Sequence, residues 1–297
     1  MKAMEARTRI QFKNVLFATD FSPAADAAAP VAAELAKRYG AKLYALHVRP
    51  PVVNPATPPL TWRGLEEAAK IEDEQHRKEL SNAFTGIRPE VLIREGDLRL
   101  NLLAAIEENN VDLIVVGTRG RSGIKKFVLG SVAEEIFREV TCPVLTVGPN
   151  ALQAGKPSAE ISRIIFATDF SPESNAAAPY AVSLAEECQA HLTMLHVIGE
   201  LKSGEFVQPA ELVNSSVRLL RNLVPGEAEL WCVPEYVVEH GAAAEKILEV
   251  AARQKAELIV LGVRQPSGFP GAATHLPIAI AHKVVSHATC PVLTVRG

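Results

Sequence analysis

The sequence predicts two tandem α/β units, each a parallel β-sheet with helices packed on both faces. Three observations carry this. Phe17-Ala18-Thr19-Asp20-Phe21-Ser22-Pro23 returns as Phe166-Ala167-Thr168-Asp169-Phe170-Ser171-Pro172, and Thr141-Cys142-Pro143-Val144-Leu145-Thr146-Val147 returns as Thr289-Cys290-Pro291-Val292-Leu293-Thr294-Val295, at offsets of 149 and 148 in a chain of 297 residues. A single period of that length marks two copies of one domain-sized unit. Within each copy, β-branched runs alternate with Ala-rich or amphipathic stretches, the pattern of parallel strands joined by helical crossovers. Hydrophobic residues make up 48% of the chain and aromatics only 5%, which suits buried parallel strands under Ala-rich helices. The units are 1–150 and 151–297, with a linker over 149–160 that contains Gly155, Lys156, Pro157 and Ser158.

Each copy reads in the same order. Lys13 to Thr19 and Arg163 to Thr168 are first strands. Ser22 and Ser171 are placed as helix N-caps, with Pro23 and Pro172 at the first helical position, where a missing N–H costs nothing. Ala27 to Pro30 and Ala176 to Pro179 repeat an Ala-Ala-Ala-Pro that should kink each helix. Leu43 to Val48 and Leu192 to Val197 are second strands, both ending Leu-His-Val. A variable segment follows: Pro50, Pro51, Pro55, Pro58 and Pro59 precede a helix from about Gly64 to Phe84, and the second copy has a helix from about Pro209 to Leu223. Third strands, Glu90 to Glu95 and Tyr236 to His240, close on Gly96 and Gly241 before amphipathic helices bearing Leu102, Leu103 and Ile106, or Ile247, Leu248 and Ala251. Fourth strands, Val111 to Val116 and Glu257 to Leu261, run into Gly117 and Gly262. A loop, a last helix (Ser131 to Val140; about Pro277 to His287) and the final strand complete each copy.

Composition excludes several classes. The net charge of −3 divides into +1 for residues 1–150 and −4 for the rest, so neither unit is built to attract nucleic acid. No apolar run has the ~18 residues of a membrane span, and Met1 to Arg7 lead into no signal-like stretch, so a cytoplasmic location is expected. Cys142, Cys188, Cys232 and Cys290 show no metal or redox spacing and read as reduced, structural residues. His47 and His196, each just before a strand-end valine, read as strand-end packing rather than catalysis.

The chemistry concentrates after Gly117. The segment Gly117-Thr118-Arg119-Gly120-Arg121-Ser122-Gly123-Ile124-Lys125-Lys126-Phe127-Val128-Leu129-Gly130-Ser131 carries four cations and no acid. Glycines let backbone approach a ligand closely or take positive φ, and Gly130-Ser131 opens a helix whose first N–H groups are unpaired, so the loop could cradle phosphates. Ser131 with Glu134 is equally a capping box, and loop cations are ordinarily just solvated. No Gly-Lys-Ser/Thr occurs, so it is not a Walker A loop.

Gly117-x2-Gly120-x9-Gly130-Ser131, with Ala-Thr-Asp ending the first strand, Leu-His-Val the second and Thr-Cys-Pro-Val-Leu-Thr-Val the last, closely resembles the universal stress protein family. The resemblance covers both halves. It implies two Rossmann-like domains of the adenine nucleotide alpha hydrolase-like kind, each a five-stranded parallel sheet of order 3-2-1-4-5. It implies ATP, with or without magnesium, in the first domain: Ala18, Thr19 and Asp20 beside adenosine, Val48 with its backbone at the adenine edge, and Gly117, Arg119, Gly120, Gly130, Ser131 and Val132 around ribose and phosphates. It further implies that Val144 to Val147 and Val292 to Val295 dock, making one chain a pseudo-dimer; a homodimer of chains remains an option. The function implied is regulatory nucleotide binding in the stress response, without a catalytic residue. A slow nucleotide hydrolase and a nucleotide-free interaction scaffold are the alternatives.

The second copy departs from the pattern. Aligned from the neighbouring strands, Gly120 corresponds to Gln265 and Gly130-Ser131 to Ile278-Ala279, and Arg264 is all that remains of the basic set. Asp169, Val197 and Gly262 persist, so an adenosine side without a phosphate grip is expected there.

Overall fold

The computed structural model describes residues 10–52, 62–118, 140–153, 160–199, 209–226, 228, 232–263 and 275–297. Among these residues ten strands form a single sheet. In the first half these are β1 (Asn14–Thr19), β2 (Lys42–Arg49), β3 (Glu90–Glu95), β4 (Leu113–Gly117) and β5 (Val144–Val147). In the second they are β6 (Arg163–Thr168), β7 (His191–Ile198), β8 (Glu235–His240), β9 (Leu258–Val263) and β10 (Val292–Arg296). The sheet order is β3-β2-β1-β4-β5-β10-β9-β6-β7-β8, so each half has the order 3-2-1-4-5 and all pairings within a half are parallel. The helices are α1 (Pro23–Tyr39), α2 (Trp62–Asn82), α3 (Leu98–Glu108), the short α4 (Pro149–Gln153), α5 (Pro172–Asn175), α6 (Ala178–Cys188), α7 (Pro209–Asn222), α8 (Ala243–Gln254) and α9 (His275–His287). The helix expected over Ser131 to Val140 lies outside the described residues, apart from Val140 itself, which is not helical.

The halves meet through β5 and β10, which pair antiparallel with Leu145 opposite Leu293 and Val144 opposite Thr294. Both strands are buried, which removes two Val-Leu-Thr-Val edges from solvent. On one face of the sheet a continuous apolar layer crosses the junction, running from Val15, Phe17 and Leu35 to Leu293, Phe166 and Leu184. Phe12 stands edge-on to Tyr39 at 5.0 Å and 6.2 Å from Tyr180, and Arg38 donates to the Glu187 carbonyl at 3.0 Å. The opposite face keeps a separate core in each half, around Ile114 in the first and Ile259 in the second.

Each first strand is anchored by an acid from the segment entering its fourth. Asp112 accepts from the Lys13 and Asn14 amides (2.7 and 3.1 Å), and Glu257 accepts from those of Ser162 and Arg163 (2.7 and 3.1 Å). This moves strand boundaries inward from the expected ones. Lys13 and Asp112 form the clamp, and the Val111 amide donates to the Ile106 carbonyl at 3.0 Å, so β1 begins at Asn14 and β4 at Leu113.

The repeated proline acts differently in the two halves. α1 continues through Pro30 as one helix of 17 residues, so the expected kink does not break it. In the second half the helix is divided: α5 ends at Asn175 and Pro179 sits in the first turn of α6, where its missing N–H has no partner to lose. Residue 175 supplies a cause. Asn175, in the place of Asp26, donates its amide to the Phe170 carbonyl at 3.1 Å and accepts from Thr168 Oγ1 at 3.1 Å, holding the first turn apart from the rest.

Gly117 and Gly262 are required by packing. Neither takes a positive φ. A methyl on Gly117 would stand 2.5 Å from the Ala25 nitrogen and overlap the Ala24 carbonyl, and one on Gly262 would overlap Ser174 Cα and the Glu173 carbonyl. The helix after the first strand therefore rests its opening turn directly on the end of the fourth. The positive φ expected of Gly117 is absent, and contact with the helix is by itself sufficient reason for a glycine there.

Gly117→Ala and Gly262→Ala should each destabilise the protein by about 1–3 kcal/mol through overpacking. Gly64→Ala, where a methyl meets nothing within 4 Å, should be neutral or stabilising by up to about 1 kcal/mol. Urea denaturation of the three variants checks this, and equal effects would contradict it.

Candidate functional site

Parallel strands of order 3-2-1-4-5 leave a crevice outside their C-terminal ends where the connections diverge to opposite faces, beside strands one and four. In the first half the residues there are Ala18, Thr19 and Asp20 after β1, Val48 on β2 and Gly117 on β4. Register brings them together: Ala18 pairs with Val116, Thr19 with His47, and Val48 lies one step beyond His47 on the side of β3. Ala18, Thr19, Asp20, Val48 and Gly117 are all half-buried. Arg119, Gly120, Gly130, Ser131 and Val132 lie outside the described residues. The chain reaches them from Thr118, whose amide and hydroxyl both donate to the Val147 carbonyl, at 3.0 and 3.2 Å.

The turn after β1 is built by its own side chains. Thr19 Oγ1 accepts from the Phe21 amide at 2.9 Å, Asp20 Oδ1 from the Ser22 amide at 3.0 Å, and Ser22 Oγ from the Ala25 amide at 3.3 Å. These bonds hold Phe21 in the left-handed region at φ 57, which an aromatic residue rarely adopts. The second half repeats the arrangement with Thr168, Asp169 and Ser171, placing Phe170 at φ 63. Thr-Asp-Phe-Ser-Pro is thus a folding motif in both halves, and one oxygen of each aspartate is already committed to the backbone.

His47 and His196 belong to the same turns. His47 Nδ1 lies 2.9 Å from the Thr19 carbonyl and His196 Nδ1 2.8 Å from that of Thr168; a carbonyl only accepts, so each ring carries its proton on Nδ1. The rings pack on the left-handed phenylalanines, 4.7 Å for Phe21–His47 and 4.3 Å for Phe170–His196. His76 from α2 stacks on Phe21 at 4.4 Å in the first half. Burial lowers the His196 pKa, with the bond to Thr168 and the charge of Asp169 opposing that shift. The thiols are inert for the same reason: burial pushes Cys142 and Cys188 up to about 11 and Cys290 to about 12, so all three stay protonated at neutral pH.

In the second half the strand ends line a cleft. Thr168, Asp169, Ser171, Glu173 and Ser174 form its polar side. Gly262 also lines it, with Leu195, Val197 and Ile247 among its apolar residues. Glu173 and Ser174 were not singled out from sequence, although both were visible as departures from Ala24 and Ala25 at the shared offset of 149. α9 begins at His275, so Ile278-Ala279 lie within its early turns rather than opening it as Gly130-Ser131 are expected to do. Among the described residues no group of three potential ligands could hold a metal ion.

The fold and crevice define a Rossmann-like α/β protein made of two tandem units. The chain belongs to the universal stress protein family, whose sequence profile, described as "Universal stress protein family", matches residues 11–148 and again 160–296. A universal stress protein of Methanocaldococcus jannaschii is 32% identical over 141 residues, spanning 46% of this chain and 82% of its own. One of Mycobacterium tuberculosis is 25% identical over 312 aligned residues, covering 95% of this chain and 94% of its own. The crystal structure of a universal stress protein from Archaeoglobus fulgidus superposes over 98% of both chains with a TM-score of 0.67 at 22% identity, a likeness of fold.

The folded-state pKa of His196 lies below the ordinary value of 6.5, so its contribution to stability is complete above pH 6.5 and is lost as pH falls through the folded pKa. Urea midpoints at pH 7.5 and 5.5 should differ less in His196→Gln than in the parent. An unchanged difference would show that His196 does not carry this dependence.

Proposed function

We propose that the first half binds ATP and that the second half does not grip phosphates. What supports this reading is that Thr118, fixed on β5 by its bonds to Val147, follows β4 at the mouth formed by Ala18, Asp20, Val48 and Gly117, and the Arg119–Ser131 sequence comes directly after it. Ala18, Thr19 and Asp20 face adenosine in this reading, Val48 offers its backbone to the adenine edge, and Gly117, Arg119, Gly120, Gly130, Ser131 and Val132 surround ribose and phosphates. Four cations and unpaired helix N–H groups suit a polyphosphate, with or without magnesium. The role is regulatory binding in the stress response rather than turnover. A cytoplasmic location goes with this role; no helix among the described residues is long and apolar enough to cross a membrane.

Family membership supports the reading, and the second half supplies its contrast. After Gly262 the sequence keeps Arg264 but has Gln265, Ile278 and Ala279 at the places of Gly120, Gly130 and Ser131. Pro277, in the first turn of α9, has no N–H to offer an anion. Loss of three charge-assisted contacts at ~1.5–3 kcal/mol each, even heavily discounted for exposure, removes most affinity for a nucleotide.

Gly130→Val should lower ATP affinity at least about 100-fold, the worth of two such contacts after discounting, while Ile278→Ala leaves it unchanged. Equilibrium binding of fluorescent ATP to the full chain measures both. Retained affinity in Gly130→Val would refute the proposed role of the loop.

A further inference from the structure

The cleft of the second half is retained although its phosphate-binding loop is not. Its polar lip is organised: Ser174 is 6% exposed and donates to Thr168 Oγ1 at 2.9 Å, while Asp169 Oδ1 is oriented by the Ser171 amide at 3.0 Å. Asp169 and Glu173 both line the cleft, and no Lys, Arg or His is among the described residues that do so. Val197, Ile247 and Ile280 line the same cleft and give it apolar surface.

The two copies differ in the charges their sequences carry around this crevice. The first has Asp20 with Arg119, Arg121, Lys125 and Lys126 in the segment after Gly117, whereas the second has Asp169 and Glu173 with Arg264 alone within 264–274. Glu173 replaces Ala24, so the second copy has gained an acid where it lost cations. A polyanion is repelled there. A cation with an apolar body satisfies both sides of the cleft, because a carboxylate in a partly dry site makes strong charge-assisted hydrogen bonds.

We propose that this cleft is a second binding site, for a small organic cation with an amidinium, guanidinium or ammonium head on an apolar body. The head meets Asp169 and Glu173, and the body lies on Val197, Ile247 and Ile280. The site shares no residue with the first-half mouth, so the proposal stands whether or not ATP binds there.

Benzamidine, with benzoate as its matched anion, tests this on the full 15N-labelled chain. Benzamidine should produce saturable amide shifts at residues 167–174 and at Gly262, with benzoate at least about tenfold weaker. Both Glu173→Ala, which installs the residue of the first copy, and the isosteric Glu173→Gln should weaken benzamidine about tenfold, the usual scale for one charge-assisted contact, while leaving ATP binding unchanged. Benzoate binding as tightly as benzamidine would overturn the proposal. So would parent-like affinity in either folded variant, or shifts confined to residues 17–22 and 117–118.

Discussion

The close approach of the first helix turn to the end of the fourth strand governs both halves. It depends on a missing side chain at Gly117 and at Gly262, whose methyl space is filled by the backbone of Ala24–Ala25 and Glu173–Ser174. For the helix to arrive there, the chain must turn sharply after the first strand, which places Phe21 and Phe170 in the left-handed region. Thr19, Asp20 and Ser22, or Thr168, Asp169 and Ser171, supply the hydrogen bonds that offset this strain. Retention of Asp169 and Gly262 in the second copy is therefore explained by folding alone. It says nothing in itself about a nucleotide.

Much of the architecture was legible because it rests on local rules. The repeat, the strand–helix alternation and the Ser-Pro helix starts identify the elements and their order, and the apolar Val-Leu-Thr-Val runs point to the strands that pair. What was not legible depends on contacts distant in sequence. Asp112 and Glu257 reach back across the chain to the first strands, and Asn175 bonds Phe170 and Thr168 where the helix of the second copy divides while that of the first runs on. At the site, the strand-end residues from Ala18 to Gly117 lie side by side through the strand register, and Asp20, which the sequence offers both as a ligand and as a turn acid before the Ser22 cap, makes the turn bond to the Ser22 amide.

The antiparallel pair β5–β10 joins two units of similar fold, one with a net charge of +1 and the other of −4. Because one apolar layer runs beneath both, they share a core on that face while their mouths remain separate. Duplication supplies the common frame: turn, glycine contact and strand-end crevice. Divergence includes the helix after the first strand, whole in one copy and divided in the other, and the sequence that follows Gly117 and Gly262. Four cations and Gly130-Ser131 belong to one copy; Glu173, Pro277 and a helix that starts at His275 belong to the other.

The assignment of ATP to one half is tested most directly by its stoichiometry. Isothermal titration of the full chain with ATP should give one site per chain, and the Gly130→Val variant should give none. Two equivalent sites per chain, or a site that survives in that variant, would contradict the account.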